Sequence, residues 1–318
     1  MRLEDNIRER LRGKDLLLMT HIVLGYPSLA VNREVVAQMV AGGVDLIEMQ
    51  IPFSEPMADG PVIIKANQES LTAGTTVRQC LDFAAEMTRT HPIPFLFMTY
   101  YNIMFKFGEA RFFEEARRIG IQGLIIPDLP PEEGGSYLAL ARKHDIAPVM
   151  IFAPTSTDER MASLAAAGGG FIYCMARRGV TGSETHFDAE FNRYLARCRS
   201  QAGGLPLAVG FGVKGRDDVE ALRGRAEIAV IGSETIRLVE REGAVAVGPF
   251  IRGLTGQTDA QTHKKPAINQ ERMAFLRALP LEVKQRITGA EANAFLSQDE
   301  IPDSLMAKLK DFLVPDGE

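Results

Sequence analysis

The chain is poor in the residues that most often announce metal or redox chemistry. Its three cysteines, Cys80, Cys174 and Cys198, are odd in number and far apart, with no spacing that suits zinc or a dithiol, so buried reduced thiols are expected. The five histidines, His21, His91, His144, His186 and His263, are scattered with no two at metal-ligand spacing, and no metal site is expected. Excess positive charge is missing too. The formal net charge of −5 gives no general attraction to nucleic acid or to an anionic membrane, so an anionic substrate needs a local site. No uninterrupted apolar run approaches the roughly 20 residues of a membrane span, and the N-terminus is charged; a cytoplasmic location is expected. Low-complexity tracts are absent, and no early glycine-rich strand-to-helix turn of the dinucleotide-binding kind appears.

What the 318 residues do contain is a steady alternation of short apolar runs with amphipathic segments. The runs predict strands at Leu16–Leu24, Leu46–Gln50, Pro94–Met98, Gly123–Ile126, Pro148–Phe152, Phe171–Met175, Pro206–Gly210 and Glu227–Ile231. Helices are expected at Arg33–Ala41, Thr76–Thr88, Glu109–Arg118, Gly134–Lys143, Asp158–Ala167, Asp188–Arg199, Asp217–Leu222 and Glu234–Arg241, several introduced by Asp, Ser or Thr. Eight β/α units in about 250 residues suit a closed (β/α)₈ barrel, the TIM-barrel form of the α/β class, better than its rival, an open doubly wound sheet.

Chemistry concentrates in residues 48 to 61. In the strand before them Leu46, Glu48 and Gln50 share one face and Ile47, Met49 and Ile51 the other, so Glu48 points away from the obvious apolar layer. Pro52, Pro56 and Pro61 stiffen the loop that carries Asp59, and Gly60 lets it turn. Two carboxylates are thereby held on rigid backbone. In a barrel, catalytic groups lie at the C-terminal ends of the strands and phosphate often sits between the loops after strands seven and eight. Val209-Gly210-Phe211-Gly212, Ile231-Gly232-Ser233-Glu234 and Arg178-Gly179-Val180-Thr181-Gly182-Ser183 stand at such places, where backbone N–H groups can hold an anion. Each alone also reads as an ordinary tight turn. Arg177 and Arg178 either steer phosphate or sit at a solvated loop tip.

These segments, with Leu24-Gly25-Tyr26-Pro27 and Pro127-Asp128-Leu129-Pro130, resemble the α subunit of tryptophan synthase. The run from Ile51 through Phe53-Ser54-Glu55-Pro56 to Asp59-Gly60-Pro61 is the most specific; the similarity spans about residues 15 to 242. It implies a barrel that cleaves indole-3-glycerol phosphate to indole and glyceraldehyde 3-phosphate without a metal or cofactor of its own. Pyridoxal phosphate belongs to a β-subunit partner, with which an α₂β₂-type complex is expected. By the same resemblance Glu48 is the acid and base at indole C3 and the glycerol hydroxyl, and Asp59 accepts a hydrogen bond from the indole N–H. Tyr100, Tyr173 and Phe211 are carried over as substrate contacts, and Gly182, Gly212, Gly232 and Ser233 as phosphate contacts. Asn102 lies at the same mouth.

Three departures qualify the match. His21 stands where the family usually has an apolar or aromatic residue in the indole pocket; it either contacts substrate, titrating near neutral pH, or is satisfied by a local carbonyl. Glu55 replaces the family's aspartate in a loop that faces the β subunit, so coupling to that partner is expected to differ. A different phosphorylated aldol substrate, or a regulatory role, are the alternatives these changes leave. Finally, a catalytic domain of residues 1–254 is followed by an extension, 255–318: a linker at Thr255–Ala267, then helices at Gln270–Leu279 and Pro302–Leu313 that either pack on the barrel or serve docking.

Overall fold

The computed structural model describes residues 2–175, 189–210 and 212–256, together with residues 279, 280, 283, 295, 305, 306 and 308. The chain divides into two compact units, residues 1–257 and 258–318. In the second, Leu279, Phe295 and Leu305 are buried. The expected linker began at Thr255, but that residue ends a helix, Val247–Thr255, capped by Gly256; residues 257–267 and most of the two expected helices lie outside the described residues.

The first unit is a closed barrel of eight parallel strands paired in chain order. They are β1 (Leu17–Val23), β2 (Leu46–Gln50), β3 (Phe95–Met98), β4 (Gly123–Ile125), β5 (Ala147–Phe152), β6 (Ile172–Met175), β7 (Leu207–Gly210) and β8 (Ile228–Ile231). The ring closes where Leu17 of β1 stands opposite Ile228 of β8. Helices surround it: α1 (Leu3–Leu11), α2 (Leu29–Ala41), α3 (Pro61–Thr72), α4 (Val77–Thr90), α5 (Tyr101–Phe107), α6 (Glu109–Ile119), α7 (Gly135–His144), α8 (Asp158–Ala167), α9 (Ala189–Gln201), α10 (Arg216–Leu222), α11 (Ser233–Glu242) and α12 (Val247–Thr255).

Alternation along each strand divides the core into two layers. Outward residues such as Ile47, Met49, Phe95, Phe97, Leu124 and Phe152 pack beneath the helices. Inward residues fill the barrel, among them Leu17, Met19, Leu46, Leu96, Val149, Phe171 and Ile228. Because both faces are buried, the strands read as largely apolar runs, broken on the outer face by Thr20, which donates to Met39 Sδ, and more heavily where the inner face turns polar. That happens at His21, Glu48 and Gln50.

Helix α1 was not expected from the sequence, yet it completes the inner layer. Leu3 and Ile7, one turn apart, are buried with the inward strand residues, each burial being worth about 2–3 kcal/mol. The barrel makes room for them with glycine: a Cβ at Gly123 would lie 2.9 Å from Leu3 Cδ2. Helix α3 also exceeds the sequence reading. Pro61 occupies its first turn and its buried face mixes Ile63 and Ala66 with Asn67 and Ser70, so the apolar period is weak. Helices α4 and α8 start within one residue of the expected Thr76 and Asp158, whereas α2 starts at Leu29, four residues before the expected Arg33. Ser28 caps α2, Thr157 caps α8, and Thr76 with Gln79 forms a capping box on α4.

Candidate active site

The site begins with strand register. Parallel pairing sets His21 of β1 opposite Glu48 of β2, and both side chains face inward. Neighbours on one face of adjacent strands are close enough to touch. Here the contact is His21 Nδ1 to Glu48 Oε1 at 3.0 Å, with each residue only 4% exposed. Burial alone pulls the His21 pKa down, because a buried cation loses its water. The Glu48 carboxylate, helped by Asp59 and the Gln50 amide, overrides this and holds it above the ordinary 6.5. Among the described residues neither His21 Nε2 nor Glu48 Oε2 has a hydrogen-bond partner.

Two residues further along β2, Gln50 serves the second carboxylate. Its Nε2 donates to Asp59 Oδ2 at 2.7 Å, and Tyr100 Oη donates to the same oxygen at 3.1 Å. Tyr100 Oη in turn accepts from the Ala58 N–H at 3.0 Å, while its ring stacks on Phe53 with centroids 5.1 Å apart. Asn67 of α3 accepts from the Phe53 N–H at 2.9 Å and donates to Ile63 O at 2.8 Å. The loop between β2 and α3 is therefore pinned near both ends. Burial raises the Asp59 pKa above its ordinary value; the Gln50 hydrogen bond, the charge of His21 and the Tyr100 hydroxyl limit the rise.

His21, Glu48 and Asp59 line a cleft of about 750 Å³, counted out to its open mouth. Its walls are apolar: Ile63, Met98, Ile125, Pro127, Ile151 and Val230. Tyr173 of β6 lines it as well, its ring resting on the bare backbone of Gly210; a Cβ there would lie 2.3 Å from the phenolic oxygen. Gly212, after β7, and Gly232 and Ser233, where β8 passes into the ten-residue helix α11, border the same cleft. Backbone N–H groups at such a helix start attract anions.

Of the residues singled out from the sequence, seven thus meet around one cavity: His21, Glu48, Asp59, Tyr173, Gly212, Gly232 and Ser233. Tyr100 stands behind Asp59, 1% exposed. Phe211, Gly182, Arg177 and Arg178 lie outside the described residues. Gln50 and Asn67 carried no expected role, although strand alternation had already put Gln50 on the same face as Glu48. Among the described residues no three His, Cys, Asp or Glu side chains gather as a metal-binding group, and no helix is long and apolar enough to cross a membrane.

Two buried carboxylates beside an apolar cleft bordered by loops at the C-terminal ends of the strands stand where barrel enzymes carry their active sites. Relatives give the class its particulars. The family model for the tryptophan synthase alpha chain matches residues 8–264. The tryptophan synthase alpha chain of Desulfotalea psychrophila is 65% identical over 254 residues, covering 80% of this chain and 100% of that one. A chain of Mycobacterium tuberculosis tryptophan synthase superposes with a TM-score of 0.74 at 28% identity, over 80% of this chain and 97% of that one. A chain of the tryptophan synthase complex from Pyrococcus furiosus gives 0.69 at 27% identity, over 76% and 98%. The chain belongs to the tryptophan synthase alpha chain family. It is a carbon–carbon lyase of tryptophan biosynthesis, cleaving indole-3-glycerol phosphate to indole and glyceraldehyde 3-phosphate.

Proposed function

We propose that Glu48 and Asp59 carry this cleavage as an acid/base-assisted retro-aldol reaction. Glu48 as a carboxylic acid protonates indole C3, leaving positive charge on the ring nitrogen. Asp59, ionised, accepts a hydrogen bond from the ring N–H and stabilises that charge. The Glu48 carboxylate then takes the proton of the adjacent glycerol hydroxyl. As that oxygen becomes a carbonyl, the C3–carbon bond breaks and its electrons restore the aromatic ring. Glu48 ends protonated, as it began.

The observation that carries this reading is the separation of partners. Glu48 is held by a group that can itself carry a proton, whereas Asp59 is held by an amide and a phenol that stabilise its anion. Ile125, Ile151 and Tyr173 make the slot for the indole ring, and Gly212, Gly232 and Ser233 receive the phosphate; Phe211, expected at the indole, and Gly182, expected at the phosphate, lie outside the described residues. No cofactor enters these steps. Pyridoxal phosphate belongs to the β chain, which we place against the exposed apolar face where Met57 and Ile64 are 77% and 39% exposed. Glu55 and Pro56 share that face with Met57 and Ile64, in one shallow groove.

The test is Glu48→Gln, which keeps the shape of the side chain and removes its proton chemistry. Indole release from indole-3-glycerol phosphate is expected to fall by about 10²–10⁴, the usual contribution of a positioned acid or base. Binding of the phosphorylated product is expected to persist. A variant that releases indole at the parent rate removes Glu48 from the mechanism.

A further inference from the structure

If Glu48 is the acid, it must hold a proton when substrate arrives. A proton source at neutral pH is required within reach of its carboxylate. The described groups around Glu48 leave few choices. From its own strand comes Gln50, a neutral amide; from the following loop comes Asp59, an acceptor; from β6 comes the Tyr173 phenol, whose pKa burial and the two carboxylates push far above 10. From the start of α11 comes the hydroxyl of Ser233, which does not titrate. Tyr100 lies beyond Asp59, and burial pushes its pKa upward as well. His21 alone among these changes charge near neutrality, and it is the one at hydrogen-bond distance.

We propose that His21 and Glu48 share a single proton across their Nδ1–Oε1 contact, His21 serving as the proton reservoir of Glu48 without acting on substrate itself. The proposal rests on Glu48 being the acid of the reaction above. Its energetic basis is charge. With one proton the buried pair is neutral overall, whether written as imidazolium and carboxylate or as imidazole and carboxylic acid. Taking that proton away leaves a bare carboxylate beside Asp59 in the same cleft; adding a second leaves the imidazolium without its contacting anion, with only Asp59 to oppose it. Both are disfavoured out of water, so the one-proton state spans a wide range of pH.

The exchange balances. The Nδ1–H bond breaks as Oε1–H forms, imidazolium becoming imidazole and carboxylate becoming carboxylic acid. Glu48 gives a proton to C3, recovers one from the hydroxyl, and returns it to Nδ1. No proton is drawn from water during the turnover. Position 21 is suited to this because the backbone register, not side-chain flexibility, sets it opposite Glu48.

Three variants test it. His21→Asn keeps an N–H donor near the Nδ1 position but carries no titrating proton, His21→Phe removes both, and Glu48→Gln removes the partner. Histidine NMR titration of the parent is expected to place the His21 resonance, assigned by its loss in His21→Asn, above pH 6.5. In Glu48→Gln it should move to lower pH, since burial, its largest influence, then meets less opposition. The kcat/KM profiles of both His21 variants should lose their alkaline side, with a deficit against the parent at least tenfold greater at pH 8 than at pH 6. An unmoved His21 titration in Glu48→Gln overturns the shared proton. A His21→Asn profile parallel to that of the parent reduces His21 to packing, even if overall activity drops. A parent that releases no indole at any pH defeats the lyase reading instead, and the NMR arm still decides whether the proton is shared.

Discussion

Tyr100→Phe removes one oxygen atom and isolates what holds Asp59. That oxygen donates to Asp59 Oδ2 at 3.1 Å and accepts from the Ala58 N–H at 3.0 Å. A hydrogen bond to a charged group contributes about 1.5–3 kcal/mol, and an orphaned N–H costs about 1–3 kcal/mol when buried. Ala58 is only part-buried, so water can reach its N–H and the second effect falls at the low end. Phe53 still stacks on the phenyl ring and Gln50 still donates to Asp59, so the fold survives. A net loss of about 2–3 kcal/mol follows. Melting temperature should drop by about 4–12 °C, at 2–4 °C per kcal/mol for a domain of this size. If the stabilisation of Asp59 is expressed in the transition state, kcat/KM falls by about 30- to 150-fold, 1.4 kcal/mol being a factor of ten. The pH profile gives a sharper check. Tyr100 is one of the groups that restrain the rise of the Asp59 pKa, so its hydroxyl's loss lets that pKa climb further, and the acid limb of kcat/KM must move to higher pH. An acid limb that stays in place, with kcat/KM within twofold of the parent, refutes the assignment of Tyr100 and of an ionised Asp59 together.

Other perturbations reach different parts of the site. Gly210→Ala sets a methyl group 2.3 Å from Tyr173 Oη, so the ring must tilt toward the cleft; about 1–3 kcal/mol of stability should go and KM should rise, checked by thermal melts and steady-state kinetics. Asn32→Ala leaves the Gly25 N–H, now 2.7 Å from Asn32 Oδ1, without its acceptor, and frees the carbonyls of Val23 and Tyr26. A cost of about 2–4 kcal/mol is expected in the melting temperature. The folded pKa of His21 is raised, so its contribution to stability is fully present below 6.5 and is lost as pH rises through the folded value. Melting temperature of the parent should therefore decline over that interval more than that of His21→Phe, and equal slopes would remove the linkage.

The barrel was legible because its strands are buried on both faces, which makes each a short apolar run between polar loops. β2 and α8 fall on the residues expected for them, Leu46–Gln50 and Asp158–Ala167. What escaped was local amphipathicity too short or too mixed to read. Helix α1 has two buried residues, Leu3 and Ile7, among charges, and α3 buries Asn67 and Ser70 beside Ile63. The carboxylates stood out because prolines fix the loop around them. Their partners did not, for a physical reason. Positions 21 and 48 meet only through the register of β1 against β2, and no pattern along either segment encodes that offset. Gln50 reaches Asp59 nine residues away only after the loop has folded back.

Two opposed demands therefore act on one short strand. Folding asks that inward positions of β2 be apolar and that every buried polar atom find a partner, a condition met by roughly nine in ten such atoms in folded proteins. Proton transfer asks that one carboxylate oxygen stay unengaged. Glu48, which lines the cleft, reconciles these by division: Oε1 is tied to His21, while Oε2 has no hydrogen-bond partner among the described residues. An unpaired buried oxygen costs about 1–3 kcal/mol. The cost is tolerable because Leu46 below it and the outward Ile47 and Met49 on either side are fully buried, anchoring the strand without help from Glu48. Had both oxygens been satisfied by fixed donors, the strand would be steadier, but the carboxyl would be a poor acid and a worse base.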